Sequence, residues 1–475
     1  MGISPHELPD DTGPRLMEPP AGLLRSLLWM GPSLMLLGAA IGSGELVAEP
    51  AAGAKYGGSL FWAILLIVAT KAFWNEAIGR VGLVTGQNFL ESCTAAGPVT
   101  VSVPWLWYAV NALKDFFLRG GIVGIAGYIC LETFPPLPVA LTELIPWSDD
   151  ISPVDRQAFT WALLNYLLIW ALIAAGGYRL AELLNTGMCL LFTACLTACA
   201  VSVLPQAMHE LTAGLVPRPV KGAAELMMLV SLAGIVMSGS TTVYYSAWAE
   251  ERGMGLFAFK KRTGGRVSRQ EIEPKSEQEI RQMRGWLRVN TLNVGITYAL
   301  GALICLSTFV LGIAVLRPAG VTLEGAKLVR ELSLMMTSVA GPWTRPVFYL
   351  GAYAAVMSTA IGILDGGSRM YLQPVRRTFP RFSPALGQKL IMTLMVLGSW
   401  LVFVWFRDAL MLIVWMGIVD APLVGILMLT YAYLCRSYLP QAYRMNIAWV
   451  VFMVMTGLLY LTLGGYFVCQ KVFGS

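Results

Sequence analysis

The residue of this sequence best suited to chemistry is Glu45, a carboxylate inside the first apolar segment. It directly follows Gly42, Ser43 and Gly44, which weaken a helix where they occur. A charge near mid-bilayer depth costs about 2.5–3.5 kcal/mol on insertion scales, so we expect it to face a cavity or a partner. Many secondary transporters build a substrate site from broken spans of this kind. The segment therefore predicts one half of a transport site.

Glu45 has three roles open to it. As a carboxylate it can bind a cation together with backbone carbonyls freed around Ala39–Ser43, and as a carboxylic acid it can carry a coupled proton. The alternative is structural, because an acid at the start of the second half-helix stabilises that helix. Glu49 lies one turn further on the same face. Two neighbouring like charges favour a proton on one of them, which suits a proton site; pairing with Lys55 is the alternative.

A second interruption is predicted in the sixth apolar segment. Its middle consists of small and hydroxyl side chains, namely Ser238, Gly239, Ser240, Thr241 and Thr242. Hydroxyl, carbonyl and carboxylate oxygens alone would suit hard ions such as Mg²⁺, Mn²⁺ or Ca²⁺.

Other polar residues lie inside apolar segments, where each is costly unless it is paired or hydrated. In chain order they are Asn75, Glu76, Lys114, Asp115, Arg119, Asp365 and Asp420. From the residues alone, Asn75 and Glu76 are expected to lie on a rim beside Arg80. The charges at 114–119 predict either a salt-bridge network or a proton relay. Asp420 is expected beside the site.

Composition places the chain in a membrane. Of its 475 residues, 56% are hydrophobic and only 13% are charged, whereas a soluble protein carries about 25% charged residues. Runs of about 20 apolar residues predict eleven spans. These cover 27–56, 59–79, 104–131, 159–176, 183–204, 226–249, 287–316, 345–370, 387–406, 408–434 and 446–468. We number them spans 1 to 11 and expect an all-α polytopic membrane protein.

Lys and Arg residues in the loops predict the orientation. Loops 250–286, 371–386 and 435–445 are basic and fall on one side, whereas 132–158 on the other side is acidic. The basic side is expected to be cytoplasmic, which places the tail 1–26 in the cytoplasm. The basic loop is interpreted as a topology determinant, with lipid binding or regulation as the alternative.

The two interrupted spans, 1 and 6, each open a set of five spans. The core is expected to cover 27–434, with one repeat at 27–204, a second at 226–434 and an additional helix at 446–468. Because five is odd, the second repeat enters the membrane from the other side and the repeats are inverted. Paired interruptions in corresponding spans of the two halves predict the transport site.

Several short motifs occur in a fixed order. They are Gly31-Pro32, then Ala51-x-Gly53-Ala54-x-Tyr56-Gly57, then Arg80-x-Gly82-x-x-Thr85-Gly86-x-x-x-x-Glu91, then Gly351 through Met357-Ser358-Thr359 to Gly366, and Asp420-Ala421-Pro422. In this order they resemble the Nramp family of divalent-metal transporters over most of residues 28–435. The resemblance implies a LeuT-like 5+5 inverted repeat of about eleven transmembrane helices, with helices 1 and 6 broken and the site between them.

The chain departs from the family pattern at the site. It has Gly42-Ser43-Gly44-Glu45 where the family has Asp-Pro-Gly-Asn, and Met237-Ser238-Gly239, or the register one residue along, where it has Met-Pro-His. Met237 would supply a thioether as the family's methionine does, although a methionine packed in the core is the default. Such a ligand would bring softer ions within reach.

The residue motifs and the resemblance together predict a cation site and a proton pathway. The predicted cation site comprises Ala39, Gly42, Glu45, Met237, Ser238, Ser240 and Asp420. The predicted proton pathway comprises Glu49, Asn75, Glu76, Asp115 and Lys389. Asp115 and Lys389 take their role from the resemblance, which implies an acid at position 115 and a basic residue at position 389. The resemblance also includes a polar residue near Asn75, which implies that Asn75 and Glu76 form a second polar layer, as the alternative to the rim.

The predicted function is an Nramp-like secondary transporter of the bacterial inner membrane. It would move a divalent cation of the Mn, Mg or Fe class by alternating access, coupled to protons. A symporter of the same fold for a small organic solute is the first alternative, because loss of the Asp and the His leaves room at the breaks. A membrane sensor that transports nothing is the second.

The expected partners are membrane lipid and the inorganic cation that is transported. We expect no cofactor besides that substrate, no nucleic acid and no obligate protein partner. An enzyme is not predicted, because the sequence has no phosphate loop, nucleophile elbow or metal-histidine cluster. The two histidines, His6 in the tail and His209 in a loop, provide no histidine proton switch inside the membrane.

Overall fold

The computed structural model describes residues 15–42, 44–265, 267–321, 323, 327–379 and 381–473. Among these, the side chains at 176–182, 184–186, 188–189, 192 and 468–473 are not described. Ser43 of the first interruption, Arg266 of the basic loop and residues 1–14 of the predicted tail therefore lie outside the described part. Within the described part all regular structure is helical.

Twenty α-helices follow one another along the described chain. They are α1 (Leu23–Leu27), α2 (Gly31–Ile41), α3 (Glu49–Tyr56), α4 (Phe61–Thr85), α5 (Phe89–Ala95), α6 (Val103–Thr133), α7 (Val139–Thr142), α8 (Pro153–Ala213), α9 (Ala223–Ile235), α10 (Tyr244–Arg252), α11 (Phe257–Thr263), α12 (Arg269–Ile272), α13 (Glu277–Leu311), α14 (Arg317–Ala319), α15 (Leu328–Leu332), α16 (Leu334–Ala340), α17 (Arg345–Thr378), α18 (Pro384–Phe406), α19 (Ala409–Tyr433) and α20 (Ile447–Phe473). Short π-helical turns occupy Gly44–Ala48, Gly312–Leu316 and Leu434–Tyr438.

The three basic loops lie on the same side of the molecule. Lys260 and Arg269 of the first loop, Arg377 of the second and Ser437 of the third line one open recess of about 1450 Å³. We call this face the basic side. Helix α13 begins within the first basic loop, and Pro384 and Ala385 at the start of α18 line the recess. Both helices are long and apolar enough to cross a membrane, so we expect their far ends on the opposite side.

Nine helical segments of the described residues are long and apolar enough to cross a membrane. The segment Gly31–Thr85 contains spans 1 and 2, because the chain reverses at Gly57 with a positive φ of 59° and continues directly into a 3₁₀ turn. A left-handed residue of this kind is suited to glycine. Together with the second pass of α8, described next, this gives eleven passes, which is the number that the sequence predicts.

Helix α8 joins spans 4 and 5, for which the sequence predicts two separate helices. Near its start, the Phe159 carbonyl accepts a hydrogen bond from Trp400 of α18. Near its end, Glu210 forms an ion pair with Arg317, which follows α13. Both contacts lie towards the ends of α18 and α13, opposite the basic side. The chain therefore reverses within α8, which contributes two passes.

Span 1 is interrupted between α2 and α3. Helix α2 ends at Ile41, and a π-helical turn at Gly44–Ala48 leads into α3. Such π-turns inside a helix occur frequently at functional sites. The turn places Glu45 and Glu49 in consecutive turns of the buried segment, and both are inaccessible to solvent.

Span 6 is interrupted more sharply, between α9 and α10. Helix α9 ends at Ile235, Val236 is extended, and Met237 and Ser238 have positive φ angles of 52° and 66°. Left-handed conformations of residues other than glycine cost about 1–3 kcal/mol and persist only where the surroundings hold them. A 3₁₀ turn at Ser240–Val243 then restores helical structure.

Helix α9 crosses α19 with almost no space between their backbones. A Cβ atom on Gly234 would lie 1.8 Å from the carbonyl oxygen of Gly417. Because only glycine permits this approach, the carboxyl end of α9 is held against α19 and its Asp420. The core thus brings the break in span 6 next to a buried carboxylate.

Candidate functional site

The two interruptions meet through Glu45. Its Oε1 atom accepts a hydrogen bond of 2.7 Å from the backbone N–H of Met237. Its Oε2 atom is buried and has no hydrogen-bond partner among the described residues. Both predicted halves of the site are therefore in direct contact, with one carboxylate oxygen still available.

Glu49 repeats this arrangement one turn later. Its Oε2 atom accepts a hydrogen bond of 3.1 Å from the Thr308 hydroxyl of α13, and the Cys305 thiol of the same helix lies beside this carboxyl group. Its buried Oε1 has no N–H or O–H donor in the described chain. The carboxyl groups of Glu45 and Glu49 interact electrostatically. The alternative partner for Glu49, Lys55, instead lies over the ring of Tyr56.

Lys71 is a site residue that the sequence analysis did not single out. It lies in the middle of α4 and is fully buried. Its ammonium donates hydrogen bonds to the carbonyl oxygens of Gly234, at 3.0 Å, and of Val236. The Lys71 ammonium therefore binds directly to backbone carbonyls at the break in span 6.

Asp420 of α19 binds the other end of that break. Its Oδ2 accepts a hydrogen bond of 2.8 Å from the Ser240 backbone N–H, and its Oδ1 lies 3.0 Å from the Lys114 ammonium. Lys114 also donates to the Ser240 hydroxyl. The Ser240 hydroxyl donates a hydrogen bond to the side-chain oxygen of Asn111, and the Ser240 carbonyl accepts one from the indole N–H of Trp107. The position predicted for Asp420, beside the site, agrees with this geometry.

The remaining hydroxyls of span 6 bond to the break itself. The Ser238 and Thr241 hydroxyls lie 2.9 Å apart, and the Thr242 hydroxyl donates to the carbonyls of Ser238 and Gly239. The side chain of Met237 contacts α13, where a Cβ atom on Gly301 would lie 2.4 Å from its sulfur. These groups hold the shape of the break around Glu45.

Thr359 of α17 closes the break in span 1. Its hydroxyl accepts the Gly42 N–H at 2.7 Å and donates to the Gly38 carbonyl at 2.8 Å. One side chain therefore satisfies a donor and an acceptor that the interrupted helix leaves without partners. Ala39 is another span 1 residue of the predicted site, and it packs against Gly362 of α17.

Asp115 lies within a compact network of charges. It pairs with Lys114 at 3.5 Å and with Arg119 at 3.3 Å, and it accepts hydrogen bonds from the hydroxyls of Tyr244 and Tyr371. Through Lys114 this network continues to Asp420. The charges at 114–119 thus form ion pairs with one another and with Asp420.

The other residues of the predicted pathway are more dispersed. Asn75 is buried one turn after Lys71, and its amide atoms have no hydrogen-bond partner in the part of the chain described. Glu76 pairs with Arg80 at 2.6 Å, as the rim alternative predicts. Lys389 is exposed on α18 and is not brought into the buried cluster.

Two carboxylates are the largest set of acidic ligands at the breaks. Across the described residues, no group of three or more His, Cys, Asp or Glu side chains is arranged to hold a metal ion. A cation at the breaks would therefore rely on the free oxygens of Glu45 and Glu49, together with backbone carbonyls and hydroxyls. Such oxygen-only ligands match hard divalent cations.

Lys71 and Thr359 differ in how far the sequence alone can identify them as site residues. A lysine in the middle of an apolar span is costly on the same grounds as Glu45, so Lys71 was detectable by its depth. Thr359 falls within a motif of the predicted span 8, but its contact with Gly42 depends on how two distant spans pack. Only the folded chain reveals that contact.

The broken spans and the buried charges at their meeting point define a polytopic membrane protein with a transporter fold. The family model for "Natural resistance-associated macrophage protein-like" proteins matches residues 34–470, so the chain belongs to the Nramp family. It is 29% identical over 143 residues to the divalent metal cation transporter MntH of Acidiphilium cryptum (strain JF-5), which covers 29% of this chain and 32% of that protein.

Solved structures show the same fold. The crystal structure of the Eremococcus coleocola manganese transporter, in complex with an aromatic bis-isothiourea substituted compound, superposes with a TM-score of 0.64. It covers all of this chain and 92% of that one, at 12% identity. MhsT in complex with L-phenylalanine gives 0.54 over 96% of this chain and 99% of the other, at 15% identity. The predicted LeuT-like inverted repeat is confirmed.

Proposed function

We propose that this chain is a secondary transporter that moves a divalent metal cation, of the Mn, Mg or Fe class, by alternating access around the breaks in spans 1 and 6. One observation carries the proposal. Glu45 and Glu49, one turn apart at the break, each keep one buried carboxylate oxygen without an N–H or O–H donor among the described residues. Buried polar atoms are normally paired, so two adjacent exceptions indicate a site for a ligand.

The charge of these residues favours a cation as the ligand. Two carboxylates can neutralise a divalent ion, and carboxylate oxygens are preferred ligands of hard cations. The names of two similar proteins, a divalent metal cation transporter and a manganese transporter, support the same substrate class. A transporter rather than an enzyme is therefore the best description.

Proton coupling follows from the same pair of residues. When the cation leaves, two buried carboxyl groups remain close together, and a proton can replace the lost positive charge. We assign this exchange to Glu49, because Glu45 also holds the backbone of span 6. Asn75, Glu76, Asp115 and Lys389 stay in the proposal as further members of a proton pathway.

The orientation proposed is the one predicted from the loops. Basic loops face the cytoplasm, so the recess on the basic side would be the inner mouth and the amino-terminal tail would be cytoplasmic. The membrane would be the bacterial inner membrane. The core would span 27–434, with 446–468 as an additional helix, and the chain would need no obligate protein partner.

Uptake into proteoliposomes tests the function directly. Wild type and Glu45→Gln would be compared for Mn²⁺, Mg²⁺ and Ca²⁺, with Glu277→Gln, an exposed residue of α13, as the matched control. We expect uptake of at least one ion by wild type and the control, and at least a tenfold loss in Glu45→Gln. Absence of uptake of all three ions, or unchanged uptake by Glu45→Gln, would contradict the proposal. A panel of organic solutes in the same vesicles separates it from the organic-solute symporter.

A further inference from the structure

The Lys71 ammonium occupies a position at which the fold attracts cations. Helix α9 ends at Ile235, and its last turn is only partly capped by backbone: the Leu232 and Ile235 carbonyls accept the N–H groups of Val236 and Ser238, whereas the Gly234 carbonyl accepts the Lys71 ammonium. The carboxyl end of a helix also carries partial negative charge. In transporters with broken helices, freed carbonyls and half-helix carboxyl ends coordinate the small cation. Lys71 donates to two carbonyls of this kind, those of Gly234 and Val236.

The Lys71 ammonium is surrounded by carbonyl oxygens, as a coordinated metal cation would be, and does not pair with a carboxylate among the described residues. Among the described residues, its ammonium donates hydrogen bonds only to backbone carbonyls, and Asp420 and Glu45 act on it electrostatically without an ion pair. Lys114 provides the contrast, because it is equally buried but lies 3.0 Å from Asp420. A buried structural lysine is expected to have a carboxylate within ion-pair distance, and the part of the chain that the structure describes offers Lys71 none.

The surrounding charges explain why a cation is needed there. Glu45 binds the N–H of Met237 on one side of the break, and Asp420 binds the N–H of Ser240 on the other. The carbonyl groups of Gly234 and Val236 add partial negative charge between them. Lys114 already pairs with Asp420, so without Lys71 the Glu45 carboxylate and the two carbonyl dipoles would remain together in a buried space without a compensating positive charge.

We propose that Lys71 is a tethered cation, whose ammonium fills a second cation position at the span 6 carbonyls and leaves only the Glu45–Glu49 position for the transported ion. The chain would therefore need no small monovalent cation, such as Na⁺ or K⁺, to hold the break together. This inference takes the location of the site from the proposed function, but it does not depend on which ion is transported.

The test measures thermal unfolding of the full-length protein in detergent, without divalent metal. Lys71→Ala is compared with wild type in choline chloride, and choline is then replaced by methylammonium at constant chloride. Methylammonium is the probe because it reproduces the end of the lysine side chain. We expect Lys71→Ala to unfold at a lower temperature in choline and to recover with saturation in methylammonium, whereas wild type does not respond.

Ile64→Ala is the matched control for lost volume. Ile64 is a fully buried residue of the same helix, two turns earlier. Its truncation should lower the unfolding temperature without any recovery in methylammonium. The proposal is overturned if Lys71→Ala is as stable as wild type in choline, or if its recovery does not exceed that of Ile64→Ala.

A second pair of variants decides the matter if Lys71→Ala does not fold. Lys71→Met keeps the length of the side chain without its charge, and Lys71→Arg keeps a charge. A lowered unfolding temperature in Lys71→Met but not in Lys71→Arg supports the tethered cation, and equal stability of Lys71→Met and wild type refutes it. Since no divalent metal is present, this result stands apart from the uptake assay, which tests the transported ion.

Discussion

A hydrogen bond of 2.7 Å joins the Glu45 carboxylate in span 1 to the backbone N–H of Met237 in span 6. The bond gives a partner to a donor at the break in span 6, and it leaves the second oxygen of Glu45 unpaired within the described chain. One oxygen of the carboxylate therefore connects the two halves of the fold, and the other is available to a ligand. Changes in ligand or proton at this residue would act on both broken spans.

Glu49→Gln is expected to separate metal movement from proton movement. Glutamine keeps the size of the side chain and can still accept the Thr308 hydroxyl bond, but it cannot exchange a proton. We expect metal uptake to continue, with the number of protons moved per metal ion falling at least about twofold. Simultaneous recording of metal and of internal pH in proteoliposomes measures this ratio. Glu277→Gln, on the surface, should keep the wild-type ratio; an unchanged ratio in Glu49→Gln would assign the proton elsewhere.

The sequence predicted the fold and the first interruption because their causes are local. Apolar runs of sufficient length predict spans, and a carboxylate next to two glycines and a serine predicts a break with a function. The number of passes agrees with the structure even though α8 runs without interruption through the predicted boundary between spans 4 and 5. The two ends of α8 lie on the same side, so α8 supplies the two passes that were predicted as spans 4 and 5.

The ligands of the site were less predictable because they depend on tertiary contacts. The carbonyls of Gly234 and Val236 carry no side-chain signal, and Lys71 meets them only because α4 packs beside α9. Asp420 was predicted to lie beside the site, but its bond to the Ser240 N–H follows from the close crossing of α9 and α19. Sequence motifs identify candidate site residues, whereas the packing of the helices determines which atoms of those residues are in contact.

Asp420→Asn is expected to destabilise the protein strongly. It leaves the buried Lys114 ammonium without its closest carboxylate, and breaking a buried ion pair costs about 3–5 kcal/mol. Chemical unfolding in detergent micelles measures the loss, and a second change, Lys114→Met, should recover part of it. In contrast, Lys261→Gln breaks a half-exposed pair with Glu251 and should cost less than about 1 kcal/mol. Equal effects of the two single variants would contradict the role given to Asp420.

Gly234→Ala is expected to separate α9 from α19. The added Cβ would lie 1.8 Å from the Gly417 carbonyl oxygen, and overpacking of this kind costs about 1–3 kcal/mol or more. Gly295→Ala in α13 is the control, since a Cβ there meets nothing within 4 Å. It should leave stability unchanged or raise it by up to about 1 kcal/mol. Unfolding temperatures of the two purified variants decide the point, and a tolerated Gly234→Ala would show that the helices can separate at no cost.

Thr359→Val is expected to weaken the interruption in span 1 without changing the shape of the side chain. The Gly42 N–H loses its acceptor and the Gly38 carbonyl loses a donor, and a buried group left without a partner costs about 1–3 kcal/mol. Thr359→Ser keeps the hydroxyl and should retain wild-type behaviour. Thr393→Val removes a hydroxyl that bonds only within exposed α18 and should change nothing.

Unfolding temperature and initial uptake rate together distinguish the outcomes for Thr359. Because the hydroxyl contacts the backbone at the end of α2, where the interruption of span 1 begins, uptake should fall several-fold in Thr359→Val while the Ser variant transports normally. Loss of stability with normal uptake by the folded fraction would give Thr359 a structural role only. Normal stability and uptake would mean that water satisfies the interrupted backbone of span 1, which would then open without help from α17.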